Sequence, residues 1–136
     1  MNKVSFDGLA IEVTRRCNMI PPCQHCFRGM PQEMDVDLKA VDSLLDQTSG
    51  IGDLTFTGGE PLVNLPAIKH IIQYIRDHRI TVEYISIVTN GLIYSDEFSN
   101  LMIEADNYIR EIKENHSSAP NITIGVSRDQ YHNNNE

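Results

Sequence analysis

The chain has 136 residues, 40% hydrophobic and 22% charged, which suits one folded domain and excludes a disordered segment. With 19 acidic against 11 basic residues its formal charge is −8, so it offers no basic stripe to a nucleic-acid backbone or an anionic membrane. No apolar run approaches the ~18–20 residues that cross a bilayer, and Met1–Val13 lacks the apolar core and cleavage site of a secretory signal. Three cysteines is an odd count, poor for a disulfide framework and suited to a reduced compartment. The expected location is the cytoplasm.

Taken in chain order, four short β-like runs alternate with three helical patterns. The run Leu9–Thr14 is the first strand, followed by a helix over Asp37–Thr48 with Leu38, Val41, Leu44 and Leu45 on one face. Asp35 or Asp37 supplies its N-cap. Leu54–Thr57 is the second strand. Pro66 then marks the first helical residue, and Ile68, Ile71, Ile72 and Ile75 follow at helical spacing. Val82–Thr89 is the third strand, rich in β-branched residues. Ser95 caps a long helix whose apolar face runs through Phe98, Leu101, Ala105, Tyr108, Ile109 and Ile112. Ile122–Ser127 is the fourth strand.

This alternation predicts an α/β fold with parallel strands, a partial (β/α) barrel of about four strands and three helices. A closed eight-fold barrel needs about 250 residues, so the sheet is an arc. Residues 1–136 read as a single domain, truncated relative to a complete core. The arc leaves a strand edge unpaired and, by expectation, apolar surface on its interior face, so a homodimer through the sheet edge is a candidate assembly.

All three cysteines fall in Cys17-Asn-Met-Ile-Pro-Pro-Cys23-Gln-His-Cys26, directly after the first strand. That is the carboxyl end of the strand, where barrel folds build their sites. Three clustered thiolates suit zinc or an iron–sulfur cluster. A structural zinc wants a fourth ligand, and His25, His116 or His132 would have to supply it. A four-iron cluster on three cysteines keeps one iron open.

At the end of the second strand stands Gly58-Gly59-Glu60-Pro61. Paired glycines allow close backbone approach of a ligand, and Glu60 offers an acceptor suited to an ammonium group. Alternatively, the four residues simply turn the chain. On the first reading, Glu60 matters for ligand binding and not for folding.

Together the two motifs resemble the radical S-adenosylmethionine superfamily, over about residues 9–129. The resemblance implies a [4Fe–4S] cluster on Cys17, Cys23 and Cys26, and S-adenosylmethionine as its ligand. It implies contact of Gly58, Gly59, Glu60 and Pro61 with the methionyl amine. His25 would lie by the adenine, while Ser127 and Asp129 would line the nucleoside pocket. Thr89-Asn90-Gly91 also has counterparts in that family. The implied activity is reductive cleavage of S-adenosylmethionine to a 5′-deoxyadenosyl radical, with a donor such as flavodoxin or ferredoxin and a substrate the sequence leaves open. The departure is the first spacing, five residues between Cys17 and Cys23 where the family usually has three. A zinc-stabilised binding module and an inactive half-barrel are the alternatives. Arg15 and Arg16 read as a solvated pair or as neighbours of the cluster, and His70 and His78 as ordinary surface or half-buried residues of the second helix.

Overall fold

The computed structural model describes residues 3–16, 34–91, 93, 95–113 and 120–126. In chain order these form β1 (Val4–Thr14), α1 (Leu38–Asp46), β2 (Thr48–Gly58), a 3-10 turn (Pro61–Asn64), α2 (Leu65–Asp77), β3 (Thr81–Thr89), α3 (Asp96–Lys113) and β4 (Ile122–Val126). The four strands make one parallel sheet in the order β1-β2-β3-β4. Chain neighbours are sheet neighbours throughout, the order of a barrel arc, so sites collect along one carboxyl rim and not in a switch-point crevice.

Both β1 and β2 are longer than their hydrophobic runs. Asp7, Gly8, Gly50 and Gly52 weaken the strand signal at their amino ends, because glycine and aspartate are poor strand formers. At Gly52 the geometry demands glycine: a Cβ there would sit 2.4 Å from the carbonyl oxygen of Asp7 on β1. Close packing of two backbones decides this position, and propensity yields to it.

Paired residues of a parallel ladder share a face. Leu9, Leu54, Ile85 and Ile122 form one row, and Ile11, Phe56, Ile87 and Ile124 the next. This is the face the helices cover. Ile68, Ile71, Ile72 and Ile75 of α2 are all buried, as are Phe98, Leu101, Met102, Ala105, Tyr108 and Ile109 of α3. Each of the Ile, Leu, Phe and Met side chains among them contributes about 1.5–3 kcal/mol on leaving water. Tyr108 keeps its hydroxyl satisfied by donating to the Ile80 carbonyl at 2.6 Å.

The opposite face differs from expectation. Its rows are Gly8, Asp53 and Tyr84; Ala10, Thr55, Ser86 and Thr123; and the pairs Glu12–Thr57 and Val88–Gly125. Ser86 donates to Asp53 at 3.1 Å. The open face is therefore mainly polar, with Tyr84 and Val88 its exposed large apolar side chains. Apolar exposure lies also on the helix side of β4, where Ile124 and Val126 are 44% and 46% exposed.

Helix boundaries follow their caps. Asp37, and not Asp35, caps α1, accepting from the amides of Lys39 (3.0 Å) and Ala40 (3.4 Å). Val41 and Leu45 of α1 are buried, whereas Leu44 sits at the margin. Pro66 falls one residue later than expected, because α2 begins at Leu65 behind an Asn64 N-cap. Ser95 caps α3, accepting from the Phe98 amide at 3.1 Å. Polar contacts join α1 to α2: His70 Nε2 meets Asp42 at 2.8 Å, and the Tyr74 hydroxyl donates to Asp46. That carboxylate pushes the Tyr74 phenol up to about 12. His78 meets the Tyr74 carbonyl. His70 is thus half-buried against α1, and His78 is an exposed residue with a partner in its own last turn. Among the described residues no helix is long and apolar enough to cross a membrane.

Candidate functional site

Three strand ends meet at the carboxyl rim, and backbone contacts decide their spacing. The Gly59 amide donates to the Thr14 carbonyl at 2.9 Å, and the Glu60 amide donates to the Arg16 carbonyl at 2.8 Å. A Cβ at Gly58 would lie 2.4 Å from the Thr14 carbonyl oxygen, and one at Gly59 2.4 Å from that of Arg16. What approaches these glycines is therefore the end of β1 and the two residues that follow it. Their small size has a folding reason in addition to any ligand reason. Gly58→Ala or Gly59→Ala is expected to cost about 1–3 kcal/mol by forcing backbone shifts, read as a lower urea midpoint at unchanged slope.

Glu60 is 1% exposed. Its Oε2 accepts from the Leu62 amide at 3.1 Å and the Thr89 hydroxyl at 2.6 Å. Its Oε1 accepts from the Asn90 amide at 2.6 Å. One side chain thus caps the 3-10 turn that Pro61 opens and ties the end of β2 to the end of β3. The expectation that Glu60 is dispensable for folding is corrected here, because a buried carboxylate holding three donors cannot be removed without orphaning them. A carboxylate has about four acceptor positions. Among the described residues three are filled, and the position without a described donor is on Oε1.

Thr89-Asn90-Gly91 closes β3 as a turn. Gly91 has a φ of 81° and its amide donates to the Thr89 hydroxyl oxygen at 3.2 Å. Asn64 braces the same rim from below, its side-chain amide donating to the Val13 carbonyl at 2.9 Å. Sequence reasoning overlooked Asn64 and the Glu60–Thr89 link. A polar residue inside an apolar helix start was the available signal for the first; nothing in the spacing marked the second.

The two arginines are paired. Arg15 meets Glu12 at 3.0 Å, and Arg16 meets Asp35 through Nε at 2.9 Å and through Nη2 at 3.0 Å. A hydrogen bond from the Thr14 hydroxyl, then the Arg16 guanidinium, holds the Asp35 carboxyl below the usual carboxylate range. Cys17, Cys23, His25, Cys26, Ser127 and Asp129 lie outside the described residues. Among the described residues no group of three His, Cys, Asp or Glu side chains could hold a metal ion.

The family model of the radical SAM superfamily matches residues 11–133. An uncharacterized protein of Methanocaldococcus jannaschii is 33% identical over 104 residues, covering 72% of this chain and 35% of that protein. The GTP 3′,8-cyclase of Rhodopirellula baltica is 31% identical over 107 residues, covering 70% of this chain and 28% of the cyclase. Among solved structures, native anSMEcpe with bound AdoMet and Cp18Cys peptide superposes with a TM-score of 0.60 at 21% identity, over 95% of this chain and 33% of that one. The fold is a parallel arc of a partial barrel, and the chain belongs to the radical SAM superfamily. It spans about a third of the length of these relatives.

Proposed function

We propose that the chain carries the cofactor-binding part of a radical SAM enzyme, with Cys17, Cys23 and Cys26 as ligands of a [4Fe–4S] cluster. The donor set suits it: three soft thiolates from one segment, the number that holds a four-iron cluster with one iron left open. The observation that carries the reading is the bond from the Glu60 amide to the carbonyl of Arg16, the residue before Cys17. It joins the start of the cysteine segment to the Gly58–Pro61 turn. At that turn the open acceptor position on Glu60 Oε1 would receive the methionyl ammonium, while the Gly58–Gly59 backbone lines the approach. His25, Ser127 and Asp129 would contact the adenosine.

The chemistry a bound cluster supplies is one-electron reduction of the S-adenosylmethionine sulfonium, breaking its C5′–S bond to give methionine and a 5′-deoxyadenosyl radical. The protein's part is to hold the amine, orient the sulfonium and keep water away. A flavodoxin- or ferredoxin-like donor would provide the electron. The test is anaerobic reconstitution with iron and sulfide, followed by electron paramagnetic resonance of the reduced protein with and without S-adenosylmethionine. A cluster signal that shifts on addition, with 5′-deoxyadenosine released, is the expected result. Protein that holds zinc and refuses iron overturns the reading.

A further inference from the structure

Thr14–Arg16 and Met34–Val36 flank residues 17–33 in the sequence, and these two flanks are fastened to each other. Thr14 and Asp35 form an antiparallel bridge. The Arg15 amide donates to the Met34 carbonyl at 2.8 Å, and the Val36 amide to the Val13 carbonyl at 3.1 Å. Side chains add to the backbone. The Thr14 hydroxyl, on a residue only 1% exposed, donates to Asp35 Oδ1 at 2.7 Å and accepts from the Arg16 amide at 3.0 Å and Arg16 Nε at 3.3 Å. One donor and two acceptor positions are all a hydroxyl has, so this one is fully used. Asp35 in turn takes the Arg16 guanidinium through both oxygens, at 2.9 and 3.0 Å.

An exposed ion pair alone would count for little. This one is two-pronged, shares Asp35 Oδ1 with a buried hydroxyl, and sits on a backbone bridge, which is how such pairs come to fix geometry. Its consequence falls on the peptide group leading to Cys17. The Arg16 amide is held by Thr14 and the Arg16 carbonyl by the Glu60 amide, so the backbone is pinned on both sides immediately before the first cysteine.

We propose that Thr14, Arg16 and Asp35 form a clasp that closes the cysteine-bearing segment at its base, with Arg16 and Asp35 acting as positioning residues for the cluster. This rests on the cluster reading above and adds residues that no cysteine or glycine motif contains. Holding both ends of the segment reduces the freedom its thiolates lose when they converge on one group, and it sets the cluster's place relative to the Glu60 turn.

The test uses Arg16→Ala, Asp35→Ala and the double variant of the whole chain, each checked for a wild-type circular dichroism spectrum. After reconstitution, chelator-driven loss of iron is timed and the reduced-state resonance is recorded with S-adenosylmethionine. Partners that merely orient a metal ligand are worth about 10- to 100-fold in affinity, so each single variant should lose iron on the order of tenfold faster. The double variant should be no worse than either single one, since the pair acts as a unit. The resonance shift caused by S-adenosylmethionine should change in all three, and Asp35→Glu should restore part of it. Variants that keep wild-type iron loss and an unchanged resonance overturn the clasp while the cluster reading stands. Wild-type protein that takes up no iron overturns both.

Discussion

Replacing Cys17, Cys23 or Cys26 by alanine is expected to abolish cluster incorporation, each one alone. The three thiolates are the whole protein donor set of the proposed site, so loss of one leaves two, too few for a cluster that already has an open iron. Residues that only orient a ligand change metal affinity by about 10- to 100-fold, and loss of a ligand should exceed that. Iron and sulfide per chain after anaerobic reconstitution and desalting is the measurement. The described strands do not include the cysteines, so the alanine variants should keep the helix and strand signal of the wild type. Any one variant with full iron and sulfide content contradicts the ligand assignment.

The second large effect is on stability. Glu60→Ala should destabilise the fold by about 3 kcal/mol, because the Leu62 and Asn90 amides and the Thr89 hydroxyl lose a buried acceptor together. For a chain of this size that corresponds to roughly 10 °C in the melting midpoint. Glu60→Gln should cost less, since the amide oxygen still accepts on one side, although its NH2 then faces a donor. Chemical denaturation of the three proteins decides between this and a purely ligand-binding Glu60, for which all three curves would coincide. The two variants also separate roles in the cofactor complex. Weaker S-adenosylmethionine binding by the well-folded Gln variant reports on the open Oε1 position, free of the fold's collapse.

The order and kind of the elements were legible in the sequence because hydrophobic spacing carries them. Ile68, Ile71, Ile72 and Ile75 at helical intervals turned out to be one buried face, and Leu54 and Phe56 two buried strand positions. The cysteine cluster and the Gly-Gly-Glu-Pro turn were legible as motifs, since each is local in the chain. The family followed from these two motifs.

Tertiary structure decided what joins residues far apart in sequence. Gly58 and Gly59 read as ligand clearance until the approach of the Thr14 and Arg16 carbonyls to 2.4 Å of a would-be Cβ gave them a packing reason, and Gly52 has the same reason from the Asp7 carbonyl. Glu60 is an acceptor at a rim by sequence; only the arrival of Thr89 and Asn90 beside it, across the β2–β3 pairing, makes it a buried tie between strands. Asp35 and Asp37 read equally as the cap of α1; Asp37 takes that place, and Asp35 turns back to Thr14 and Arg16 instead. Local spacing determines periodicity and caps because those interactions reach three or four residues; the contacts that build the rim span about twenty to fifty residues, and only the closed sheet brings them within hydrogen-bond distance.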